Sequence, residues 1–169
     1  MVKNKMKLVV VVHNIRSTHN VGAIMRTCEG FGVERIIFSG YTPYPGRGLP
    51  HEGAKLTRAI AKTALGAEGM VPFIFSEGIL DSLRELRNEG WRIVALEQGE
   101  EAVMLPDLSA EMAGEKIVLV LGEEVEGVPA ELLAEADFLL EIPMRGQKES
   151  FNVSVAAGVA IYKLMEDLG

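Results

Sequence analysis

At 169 residues and 18.4 kDa, with 48% hydrophobic and 24% charged residues, the chain has the size and composition of one folded domain that buries a core without disulfides or metal. A lone cysteine, Cys28, excludes an internal disulfide and a cysteine-based metal cluster. The first apolar run, 8–12, is too short for a secretory signal or a membrane span, so the protein is expected in the cytoplasm and off the membrane. Seventeen basic against 24 acidic residues leave a net charge of −7, the wrong sign for gripping nucleic acid by bulk electrostatics. Such a grip requires a local basic face, for which Arg16, Arg26, Arg145 and Lys148 are the candidates.

Six short apolar runs, at 8–12, 35–38, 71–75, 92–96, 117–121 and 138–142, read as strands. Interiors such as Val9-Val10-Val11-Val12 are apolar at consecutive positions, which suits strands covered on both faces, and a parallel sheet follows. After the first run, Val21, Ile24, Met25, Cys28 and Phe31 share one helix face that Gly30 and Gly32 are placed to close. The span 41–53, with three prolines and three glycines around Tyr44, Arg47 and His51, reads as an irregular loop, either a flap over a ligand or a solvated connection. Ile79, Leu83 and Leu86 mark a later helix. The last helix, about 152–168, carries Val153, Ala156, Ala157, Ala160, Ile161 and Leu164 on one stripe, which together with Gly158 permits close packing on the sheet or on a second copy. Alternating strands and helices make this an α/β protein.

Three segments at strand ends carry chemistry, where open α/β sheets bind ligands. The first, 14–26, runs from strand to helix and holds Asn14, Arg16, His19, Asn20 and Arg26, groups suited to phosphate and sugar oxygens, with Asn20 also placed to cap the helix. The second, 121–129, pairs Gly122 and Gly127 with Glu123, Glu124 and Glu126. Three carboxylates there repel phosphate and favour a cation, an amine or a hydroxyl. The third, 142–152, joins an apolar Ile142-Pro143-Met144 turn, shaped to hold a flat base, to Ser150 and Asn152. Both of these are good N-cap types, and one cap leaves the other free for a ligand. No G-x-G-x-x-G, G-x-x-x-x-G-K-[ST] or G-x-S-x-G occurs, and the three histidines lack metal-ligand spacing.

Taken in order, these segments resemble the three motifs of the SPOUT superfamily of RNA methyltransferases, specifically its TrmH branch, also called SpoU. Asn14, Asn20, Gly22 and Arg26 match N-x-x-x-x-x-N-x-G-x-x-x-R; Gly122, Glu124 and Gly127 match G-x-E-x-x-G; residues 142–156 match I-P-M-x-G-x-x-x-S-L-N-V-S-x-A, with Phe151 in place of leucine. The resemblance covers nearly the whole chain. It implies a single SPOUT domain over 1–169, a Rossmann-like parallel sheet with a C-terminal trefoil knot, a homodimer, and S-adenosylmethionine held by Leu96, Gly122, Ile142, Met144 and Phe151. It also implies transfer of a methyl group to a ribose 2′-hydroxyl of RNA, with Arg26, Asn20, Glu124, Ser150 and Asn152 positioning ribose or supporting catalysis, and with no metal.

A guanidinium stays protonated, so Arg26 is read as a clamp on a neighbouring phosphate rather than as a base. No appended RNA-binding domain is visible, and a compact substrate such as tRNA is expected ahead of rRNA. Many relatives carry a proline where this chain has Arg16-Ser17-Thr18-His19, a departure that bears on how the loop meets RNA. The competing readings are a SPOUT enzyme that methylates a base and an RNA-binding module without catalysis.

Overall fold

The computed structural model describes residues 6–167. Seven strands, β1 (Lys7–His13), β2 (Arg35–Ser39), β3 (Phe73–Ser76), β4 (Arg92–Leu96), β5 (Val103–Met104), β6 (Lys116–Leu121) and β7 (Phe138–Glu141), form one sheet in the order β3-β2-β1-β6-β4-β7-β5. Every strand pair is parallel, as the consecutive apolar runs require. In β1 the side chains alternate between two cores. Leu8, Val10 and Val12 pack on one face with residues of α1 (Thr18–Phe31), α2 (Pro50–Ala64) and α6 (Val153–Tyr162). Val9 and Val11 pack on the other face with α3 (Ile79–Asn88) and α5 (Ala130–Leu133). A second short helix, α4 (Ala110–Ala113), leads into β6.

Several expected boundaries shift for local reasons. The third strand begins at Phe73 rather than at residue 71, because Val71 still donates to Ala67 in the preceding 3₁₀ turn. The irregular span ends at Leu49: Pro50 is the first residue of α2, where its missing N–H costs nothing and its fixed φ suits a helix. Gly32, at φ 68°, closes α1, whereas Gly30 lies inside it. The last helix is regular to Tyr162 and continues as a π-helical turn over Lys163–Asp167; the expected end at residue 168 lies outside the described residues.

His13, at the end of β1, is buried with Nδ1 2.8 Å from Ser39 Oγ. Burial pushes its imidazole below the ordinary value, against a smaller upward pull from the Glu131 carboxylate. The unfolded chain therefore takes up a proton below about pH 6.5 where the folded state resists it, and stability declines as pH falls from that point to the folded-state pKa. Urea titrations at pH 7.5 and 5.5 should show a greater loss for the wild type than for His13→Gln; equal losses would remove His13 as the cause.

Candidate functional site

The carboxyl ends of β4, β6 and β7 open into a cavity of about 650 Å³, the position at which open parallel sheets bind ligands. Its glycines are dictated by close backbone approach. A Cβ on Gly122 would lie 2.4 Å from the Gly127 carbonyl carbon and 2.5 Å from Val128 N. The loop between them is closed by two backbone hydrogen bonds of 3.0 Å, Glu123 N to Gly127 O and Gly127 N to Glu123 O. Gly127 itself is left-handed, at φ 72°.

All five residues expected to hold the donor, Leu96, Gly122, Ile142, Met144 and Phe151, line this cavity, and so do Glu124, Ser150 and Asn152. Six carboxylates also line it, those of Glu97, Glu123, Glu124, Glu126, Glu141 and Glu149, and no lysine or arginine does. The walls therefore favour a cationic ligand with an apolar body and disfavour phosphate.

Asn20 joins the cavity through a directed chain of amides. Asn152 caps α6, its Oδ1 accepting from Ser154 N at 2.9 Å. That orientation leaves Asn152 Nδ2 to donate to Asn20 Oδ1 at 3.2 Å, and Asn20 Nδ2 then donates to Glu124 Oε1 at 3.1 Å. Three residues from three separate segments thus fix one another's side chains. Asn20, for which capping α1 was the alternative to a role in the site, is not that cap. Ser17 is, its Oγ accepting from Asn20 N, which frees the Asn20 amide for this chain.

The profile of the SpoU rRNA Methylase family matches residues 7–162. The chain belongs to the SpoU family. Among its SpoU relatives, the 23S rRNA (guanosine-2'-O-)-methyltransferase RlmB of Coxiella burnetii is 31% identical over 159 residues, which are 93% of this chain and 57% of that protein. The tRNA (guanosine(18)-2'-O)-methyltransferase of Aquifex aeolicus is 32% identical over 164 residues, 95% of this chain and 70% of that one. The AdoMet-bound rRNA methyltransferase structure from Sinorhizobium meliloti superposes with a TM-score of 0.80 at 26% identity, covering 97% of this chain and 57% of that one. The chain thus spans under two thirds of the length of the first of these relatives.

The remaining SpoU motif residues divide between scaffold and surface. Asn14 is left-handed at φ 57°, and its Oδ1 accepts from Tyr41 N, so it builds a turn. Arg16 pairs with Glu123 at 3.3 Å and lies over the Tyr41 ring. Arg26 is exposed on α1, lines no part of the cavity and has no hydrogen-bond or ion-pair partner among the described residues.

Sequence reasoning missed Glu97. Its Oε2 accepts from Val128 N at 2.9 Å and its Oε1 from Gln98 N at 2.9 Å, so one carboxylate ties the end of β4 to the loop that follows β6. Nothing in the sequence marks Glu97 apart from its surface neighbours, because the N–H it binds lies 31 positions away.

Asn152→Ala should remove the α6 cap, about 1 kcal/mol, and leave the buried Asn20 Oδ1 without its donor, roughly 1–3 kcal/mol. Scanning calorimetry should show Tm lowered by several degrees; a shift below about 1 °C would mean that the amide chain contributes little to stability.

Proposed function

We propose that the chain transfers a methyl group from S-adenosylmethionine to a ribose 2′-hydroxyl of structured RNA, with tRNA ahead of rRNA as substrate. The observation that carries this reading is the cavity whose walls hold six carboxylates, no lysine or arginine, and the apolar side chains of Leu96, Ile142, Met144 and Phe151. These residues fit the donor's two halves, an adenosine and a positively charged sulfonium with its amino group. When bound, the donor supplies an electrophilic methyl group.

The chain's own residues then have separable tasks. Ile142 and Met144, on the cavity wall, would hold the donor's adenine, and Gly122 would let the donor approach backbone. The Asn152–Asn20–Glu124 chain holds one Glu124 oxygen and leaves the other to accept from the ribose. The hydroxyl must shed its proton as its oxygen bonds to the methyl carbon and the carbon–sulfur bond breaks. Arg26, with a guanidinium that stays charged, grips the adjacent RNA phosphate, and that phosphate helps pass the proton on to solvent.

Arg26 lies away from its own chain's cavity, so this reading includes a homodimer in which it serves the partner's site. Val155, Val159 and Tyr162 form an exposed apolar stripe on α6, and Gly158 in the same helix faces Thr27, next to Arg26 on α1. A second copy seated on that face would pack beside α1, the helix that carries Arg26. The reading also takes 1–169 as one domain, with the family's knot formed where residues 142–152 meet the loop after β4, a contact made by Gln98 Nε2 to Glu149 O. It places the enzyme in the cytoplasm; no helix among the described residues is long and apolar enough to cross a membrane. In favour of tRNA, the named relative that acts on tRNA is the one of which the chain covers the larger share.

The test is transfer of labelled methyl from S-adenosylmethionine to bulk tRNA and, separately, to rRNA, followed by nuclease digestion and nucleoside identification. A ribose-methylated nucleoside is expected. A base-methylated product would make this a base-modifying SPOUT enzyme, and donor binding without product from either RNA would favour a module without catalysis.

A further inference from the structure

The outward face of α2 is basic along its whole length. His51, Lys55, Arg58 and Lys62 follow one another at spacings of four, three and four, so they stand in one row on the helix. All four are exposed. The opposite row has the same spacing and makes the packing contacts. Gly53 lies against the Gly46 backbone, Thr57 Oγ1 accepts from Gly46 N, and Ile60 O and Ala64 N abut Gly22 of α1. The basic row is therefore fixed in place by the packing behind it.

Several other surface cations are neutralised or engaged, whereas Lys7, Arg26, Arg145 and Lys148 stand singly or in a pair rather than in a row along a helix. Arg16 pairs with Glu123, Arg84 and Arg87 share Glu135, and Arg47 donates to Thr42 O. Lys55, Arg58 and Lys62 have no such partner among the described residues. Glu52, the acid in the first turn of α2, points off the row and accepts from Leu49 N. Like charges one turn apart destabilise a helix, and in a protein of net charge −7 a row of cations on one helix face is a local positive field that a polyanion would neutralise.

We infer that the outer face of α2 is an RNA-backbone tract that carries the substrate's phosphates toward the cavity. This rests on the reading of the chain as an RNA methyltransferase and extends it. Its location supports RNA over an acidic protein. Thr63, the residue after Lys62, donates through Oγ1 to His19 O at 2.8 Å, one position before Asn20. The row therefore ends beside the α1 turn that enters the amide chain. At about 1.5 Å per residue it spans roughly 16 Å, enough for several consecutive phosphates. The acid-lined cavity rejects phosphate, so the RNA backbone has to be held outside it, which is what a tract on α2 provides.

The test compares Lys55→Gln/Arg58→Gln/Lys62→Gln with a control of equal charge, Lys7→Gln/Arg92→Gln/Lys116→Gln, whose sites lie at the opposite ends of the strands. Binding of bulk tRNA is measured across a salt series, with S-adenosylmethionine titrated into each protein. Each lost phosphate contact reduces the slope of log K against log salt by about 0.7–0.9. The α2 variant should lose about two units of slope and bind the donor as the wild type does, while the control keeps its slope. An unchanged slope, the result expected if the row meets an acidic protein instead, overturns the inference, and so does an equal loss in the control. Wild-type tRNA binding without methyl transfer overturns the catalytic reading alone.

Discussion

Gly122→Ala should weaken S-adenosylmethionine binding by about 5- to 150-fold, because the overpacking cost of about 1–3 kcal/mol falls on the wall that holds the donor. The new methyl group would stand 2.4 Å from the Gly127 carbonyl carbon and oxygen and 2.5 Å from Val128 N, all backbone atoms with no rotamer to yield. Neither side can retreat. Leu121, the preceding residue, is held in register with Val12 at the centre of the sheet. Gly127 is held by its two bonds to Glu123, and the next N–H by Glu97. The loop that walls the cavity must therefore open. Overpacking of this kind costs about 1–3 kcal/mol, or roughly 2–12 °C in Tm for a domain of this size. Calorimetric titration with the donor and thermal melts check both parts. Gly30→Ala, where nothing lies within 4 Å of the new Cβ, is the control and should bind as the wild type does. Normal donor affinity in Gly122→Ala would mean that the donor binds elsewhere.

Arg26→Ala should lower kcat by about 10²–10³, the usual loss when one charge-stabilising donor is removed, while leaving donor affinity within about twofold. The unchanged affinity follows from its position, exposed on α1 and off the wall of the cavity, and the loss of rate from the proposed clamp on phosphate. Arg26→Lys should recover little, since a point charge does not reproduce a planar two-pronged contact; near-full rate in that variant would sink the clamp. Mixing Arg26→Ala with Gly122→Ala protein separates the chains' contributions. If the arginine serves the partner's cavity, random reassortment gives about a quarter of the sites both an intact cavity and an intact arginine, and activity returns to that level. No recovery after demonstrated subunit exchange would place Arg26 in its own chain's site.

The sheet was legible because its strands are apolar at successive positions, and the cavity because its residues fall at strand ends. Elements with no periodicity to detect were not legible. Strand β5 has two residues, and α4 and α5 have four each. Helix α2 was hidden by its own start, since a proline beside three glycines reads as loop until the chain is seen to turn at Leu49. The role of Asn20 stayed open between cap and site because Ser17 and Asn20 are both good caps within one turn. Only the distant partners Glu124 and Asn152 show which of them is free. Glu97 illustrates the same gap: a carboxylate that binds a backbone N–H across the fold leaves no mark on its own neighbourhood in the sequence.

The place of β6 in the sheet has a consequence for synthesis. Strand β1 pairs with β2 on one edge almost at once, but its other edge waits for β6, about 109 positions later. At a ribosomal rate of 5–20 residues per second, that edge of four consecutive valines stays open for roughly 5–20 s. An unpaired apolar edge is a template for joining other chains. Slowed translation between β2 and β6 should therefore send more of this protein into aggregates, and a chaperone that shields strands should matter most to it during that interval.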